Sequence, residues 1–123
     1  MTAVQQAASE AVLAGLSIVP PREDGSKAPE GAWKQYQGAR PTPAVLHEWY
    51  GPRSGLGVVC GAVSGNLECL DFDDREVYER FLELAHQAEL DDVVRRLETG
   101  YVEDSPSGGV HYLYRCDTIG GNI

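Results

Sequence analysis

The chain has 123 residues, 42% of them apolar and 24% charged, with a formal net charge of −9 at neutral pH. That length builds one modest core, the composition excludes an intrinsically disordered chain, and no apolar run reaches the ~18 residues of a membrane span. So acidic a protein is not a general nucleic-acid binder, because the phosphate backbone is held through cations.

The acid is unevenly placed. Through residue 60, five bases (Arg22, Lys27, Lys34, Arg40, Arg53) balance five acids, whereas from residue 61 five bases face fourteen acids. Any contact with DNA therefore falls to the lysines and arginines of the first half. The start, Met1 to Gln6, lacks the basic region and apolar core of a secretory signal, so a cytoplasmic location is expected. An odd count of three cysteines with no C-x-x-C fits that compartment, and the apolar runs around Cys60 and Cys69 predict burial for both.

In chain order, residues 3 to 14 carry apolar side chains at helical spacing up to Gly15. Leu16 to Val19 reads as a strand stopped by Pro20-Pro21, and residues 20 to 41 as a long loop. Thr42-Pro43 is an N-cap followed by proline at the first helical position, which opens a helix through Tyr50. Trp49 and Tyr50 are read as core packing at its end. Gly55 to Cys60 and Leu67 to Asp73 are β-rich, and Gly61 to Asn66 between them has hairpin punctuation. Asp74 caps a helix to about Gln87 with Val77, Phe81, Leu84 and Ala88 on one face, and a second helix covers Asp91 to Leu97. Tyr101 to Glu103 is a short strand, Ser105 to Gly109 a turn, and Val110 to Arg115 a strand. The pattern is α+β in a single domain.

Three constellations carry chemistry. In Leu70-Asp71-Phe72-Asp73, alternate side chains of a strand share a face, so Asp71 and Asp73 project together, about 7 Å apart from two rises of about 3.3 Å. Such a pair can hold one divalent cation or flank two, although a strand leaving the core with a solvated aspartate and a helix cap explains the same residues. In Ser107-Gly108-Gly109-Val110-His111, two glycines permit a sharp turn whose amides form an anion nest, with a hydroxyl and an imidazole beside it. A plain glycine turn is the simpler account. In Lys27-Ala28-Pro29 and Trp33-Lys34-x-Tyr36, lysines interleave with aromatics, a surface for nucleotide or single-stranded DNA or merely a solvated loop pinned by one tryptophan.

The order of these elements resembles a known family. Lys27-x-Pro29 with Trp33, Arg40-Pro41-Thr42, Trp49, Gly57-Val58-Val59-x-Gly61, Ser64-Gly65, Leu70-Asp71-Phe72-Asp73 and Ser107-Gly108-Gly109-x-His111 follow one another as in the N-terminal domain of bifunctional DNA primase-polymerases, of the archaeo-eukaryotic primase superfamily. The resemblance spans roughly residues 5 to 122. It implies an α+β fold with an RRM-like catalytic sheet, found on plasmids, phages and other mobile elements and often fused to a helicase. It further implies primer synthesis and extension from nucleoside triphosphates on a single-stranded DNA template. Carried over by position, Asp71 and Asp73 match the acidic motif that binds two magnesium or manganese ions, and Ser107 and His111 the motif that holds the incoming phosphates, with His111 in the catalytic set. Arg115, further along the same strand, would assist.

The departure is at the end of the sequence. The family's third motif, another acidic metal ligand, follows a Gly-Asn-containing loop; Ile119-Gly120-Gly121-Asn122-Ile123 is similar to that loop, and Asp117 before it does not match the ligand. A truncated catalytic set is therefore expected, and with it little or no primer synthesis by this chain alone. Glu103-Asp104-Ser105 is also more acidic than a phosphate site invites. The alternatives are a non-catalytic nucleotide- or DNA-binding module of a replication protein, and a DxD metal transferase or hydrolase acting on another nucleotide.

Overall fold

The computed structural model describes residues 2–24, 26 and 28–120. Helices and small antiparallel sheets mix in an α+β fold, and the chain divides into two compact units, Met1–Asn66 with Thr118–Ile123, and Leu67–Asp117.

In the first unit, α1 (Ala3–Leu13) starts at a reciprocal cap: the Thr2 hydroxyl accepts from the Gln5 amide at 3.1 Å, and the Thr2 amide donates to Gln5 Oε1 at 2.8 Å. Helix α2 (Pro43–Tyr50) begins as expected, with Thr42 as cap and proline at its first position. Strands β1 (Ser17–Val19) and β2 (Gly57–Val59) pair antiparallel, Ile18 opposite Val58. Ala8, Ile18, Leu46 and Tyr50 are buried together, with Val4, Trp49 and Val58 packed on them. Tyr50 and Trp49 are core residues as read from the sequence; the Tyr50 hydroxyl donates to the Val19 carbonyl at 2.7 Å.

Two sequence expectations fail here. Strand β2 does not form a hairpin with the strand after residue 66, because the connection folds back on the β1–β2 pair. Gly61, Gly65 and Asn66 all take positive φ around a single helical turn, Ala62–Ser64. The buried Ser64 hydroxyl accepts from the Ser17 amide at 2.8 Å and donates to the Val59 carbonyl. Cys60, expected inside, is exposed just past the end of β2, and Cys69 is only half-buried.

The second unit is a three-stranded antiparallel sheet, β3 (Leu67–Phe72), β4 (Tyr101–Asp104) and β5 (Val110–Arg115), in the order β3-β5-β4. Helix α3 (Arg75–Gln87) is capped by Asp74, whose carboxylate accepts from the Val77 amide at 2.8 Å, and α4 (Asp91–Glu98) follows. Both helices pack on one sheet face. Phe72, Val110 and Tyr112 form its buried centre, covered by Tyr78, Phe81 and Leu97. Here the helix face differs from expectation: Val77 and Leu84 are about half exposed (51% and 48%), whereas Tyr78, Phe81 and Ala85 turn inward. The stripe follows the tyrosine, whose ring lies 5.3 Å from Phe72 and 5.8 Å from Tyr112, since aromatic pairs add about 1 kcal/mol each to the area they bury.

Two stability tests follow. Ser64→Ala leaves a buried amide and a buried carbonyl without this partner, so a loss of about 2 kcal/mol is expected in urea unfolding, with the midpoint falling and the slope unchanged. Burial, then its bond to Tyr78, raises the Tyr112 phenol; burial, then its bond to Glu68, raises Tyr114 to about 12. A phenol raised above its unfolded value of about 10 stabilises fully below that pH, and the contribution is lost as pH rises through the folded value. Unfolding of this unit between about pH 10 and 12, followed by circular dichroism and phenolate absorbance together, should therefore shift to higher pH in Tyr114→Phe.

Candidate functional site

Alternation sends Leu70, Phe72, Val110 and Tyr112 to the helix-covered face of the β3-β5-β4 sheet. The same rule sends Asp71, His111 and Glu103 to the opposite face, and the register sets them in one row: Asp71 stands opposite His111 on β5, and His111 opposite Glu103 on β4. Opposed side chains on one face of an antiparallel pair lie close enough to touch. They do: His111 Nε2 is 3.0 Å from Asp71 Oδ1, and His111 Nδ1 is 2.9 Å from Glu103 Oε1. Glu103 Oε2 in turn accepts from the Tyr101 hydroxyl at 3.0 Å. That bond, then burial, raises the Tyr101 phenol above its ordinary value. The contact with Glu103 is a hydrogen bond whose donor depends on the ring's tautomer, and the contact with Asp71 is an ion pair only when the ring is protonated.

The Ser-Gly-Gly turn lies against the end of β3 that bears the aspartates. Pro106 and Ser107 are the central residues of a turn closed by the Gly108 amide donating to the Ser105 carbonyl at 3.0 Å. Gly108 takes a φ of +90°. The Gly109 amide donates to Ser105 Oγ at 2.9 Å. A Cβ on Gly109 would stand 2.1 Å from the Phe72 carbonyl oxygen and 3.0 Å from that of Asp73. The glycines thus serve hairpin closure and close approach, with both amides engaged by Ser105, and the Ser107 hydroxyl, 3.2 Å from that of Ser105, is what the turn exposes.

The structure therefore brings Asp71 into contact with His111 and sets Asp73, the exposed residue just past β3, beside the turn. Arg115 shares strand parity with His111 but stands opposite Leu67, four residues and about 13 Å along the strand. Lys34 is exposed at the start of a single helical turn, Lys34–Gln37, in the first unit, whose Tyr36 ring lies 4.9 Å edge-on to Trp49. Lys27 and the Gly121-Asn122-Ile123 end of the expected loop lie outside the described residues.

Sequence reasoning did not find Glu103 and Tyr101 as site residues. Their alternate spacing was visible, but only the strand register shows that they reach His111. Among the described residues no group of three or more His, Cys, Asp or Glu side chains converges as a metal cage. Magnesium seldom uses one; it is held by one or two carboxylates and completed by water and substrate oxygens, and Asp71 and Asp73 have the donor chemistry for that role.

The family model described as bifunctional DNA primase/polymerase, N-terminal, matches residues 8–121. No curated protein matches the chain. Gly109→Ala should lower the stability of the second unit by more than about 3 kcal/mol, because the added methyl meets strand backbone rather than a side chain that can turn aside; thermal unfolding checks this.

Proposed function

Because the chain belongs to the bifunctional DNA primase/polymerase N-terminal family, we propose that it is a nucleotidyl-transfer domain which holds a nucleoside triphosphate, with its divalent cation, on the Asp71–His111 side of the second unit's sheet. The observation that carries this reading is the 3.0 Å contact between Asp71 and His111, which joins the acidic motif to the Ser-Gly-Gly-x-His motif on adjacent strands.

The electrostatics favour a metal complex over the bare nucleotide. Asp71 and Glu103 flank His111 and the exposed Asp73 follows at the end of β3, so a triphosphate laid there meets like charge that a single imidazole does not offset. In this reading Asp71 and Asp73 hold magnesium or manganese. The cation, when bound, neutralises charge on the transferring phosphoryl group and orients the attacking hydroxyl. The Ser107 hydroxyl would donate to a phosphate oxygen, and His111 would do so from a protonated Nε2. Arg115, at the far end of β5, suits a more distant part of the ligand. Lys34 in the first unit, and Lys27, are assigned to the backbone of a single-stranded DNA template. Primer synthesis in the cytoplasm for a mobile element, with a fused or associated helicase opening the duplex, is the setting that this activity fits. No described helix is long and apolar enough to cross a membrane.

Asp71→Asn keeps the shape of the side chain and removes its charge. Calorimetry with a deoxynucleoside triphosphate should show binding that requires Mg²⁺ in the native chain and weakens at least ~10-fold in the variant. Template-directed extension with Mn²⁺, where it is measurable, should fall at least ~100-fold. Equal, metal-independent affinity in both proteins would instead identify a nucleotide-binding module without catalysis.

A further inference from the structure

Glu103 has been given no role in the binding described so far. A carboxylate facing a triphosphate repels it, yet this one lies in the same cross-strand row as Asp71 and His111. Both its oxygens are engaged: Oε1 lies 2.9 Å from His111 Nδ1, and Oε2 accepts from the Tyr101 hydroxyl at 3.0 Å. A third ligand for the cation would present an oxygen to the metal; Glu103 presents its oxygens to a ring nitrogen and a phenol.

We propose that Glu103 is the positioning residue of His111: its carboxylate accepts from Nδ1–H, holds the ring plane across the sheet, and so aims Nε2 at the Asp71 side where the phosphates bind. Tyr101 holds Glu103 in turn, through the carboxylate oxygen that the ring does not use. The logic is general. An imidazole turns about two side-chain bonds, and a carboxylate accepting from Nδ1–H fixes which edge faces the ligand and favours the ring form that carries a proton on Nε2 as well. Asp71 cannot fill that role itself once it is given to a cation, so orientation must come from the other side of the ring, where β4 supplies it. The sheet order β3-β5-β4 therefore matters chemically: the phosphate-contacting strand is central, with the acid that binds on one side and the acid that aims on the other. This inference rests on the functional reading above.

The test uses the full chain and four variants: Glu103→Gln, Tyr101→Phe, His111→Ala, and the double variant Glu103→Gln with His111→Ala. Magnesium–deoxynucleoside triphosphate affinity is read by calorimetry, and the ring nitrogens of His111 by ¹⁵N NMR in the free protein. Glu103→Gln should weaken binding by about 10-fold and move the His111 Nδ1 resonance, with the thermal midpoint largely kept. Tyr101→Phe should act in the same direction, more weakly; its side chain is largely exposed, so this variant keeps the test open if Glu103→Gln folds poorly. The double variant should bind no worse than His111→Ala alone, because a residue that acts through another adds nothing once that other is gone. Additive losses, or native affinity with an unmoved ring signal in Glu103→Gln, would overturn the assignment. If the native chain binds no metal–nucleotide, or His111→Ala binds as well as native, the functional reading itself fails and takes this inference with it.

Discussion

At Gly109 the chain runs so close to the end of β3 that no side chain fits between them. This contact sets how the last two strands of the second unit meet the first. With Gly109 against the carbonyls of Phe72 and Asp73, Val110 falls opposite Phe72 and His111 opposite Asp71. Everything chemical in the unit depends on that alignment, including the row from Asp71 through His111 to Glu103. In the turn that delivers it, proline fixes φ at one central position and Gly108 supplies a positive φ that other residues rarely adopt. Beneath it, Phe72, Tyr78, Phe81 and Tyr112 form an aromatic layer that gives the sheet one dry side.

The wet side works by concentrating unlike tasks on neighbouring strands. Acidic groups from β3 and β4 line one row, and an imidazole from β5 lies between two of them. In the proposed reading, the excess negative charge of the second half of the sequence is a condition on how a nucleotide would arrive, in company with a divalent ion. The first half of the sequence, by contrast, carries balanced charge.

Most elements were legible from local rules. The caps at Thr42 and Asp74, the proline opening α2, and the strands around Asp71 and His111 each follow from a residue acting on its immediate neighbours. Three things were not legible, and all concern partners distant in sequence. The stretch Gly61 to Asn66 has every mark of a turn, but nothing local says that Ser64 will bond back to Ser17 and Val59 and keep β2 from pairing forward. The inward face of α3 is one residue away from the aliphatic stripe, because Tyr78 finds two aromatic rings to pack on. Glu103 read as an unwelcome charge until the register showed it against His111. The family resemblance pointed to Asp71 and His111 one motif at a time; that Glu103 and Tyr101 stand in the same row came only from the pairing of strands.

A consequence of the strand alternation has not to do with ligands at all. Slipping β5 by a single position would carry His111 into the aromatic layer and push Tyr112 into water. The misaligned sheet would lose its dry side and its polar row in one step, so a molecule folded well enough to persist is also one whose reactive groups are lined up. In this unit the hydrophobic core acts as proof-reader for the chemistry on its reverse side, and the tight hairpin at Pro106 to Gly109 is the key that admits only one reading.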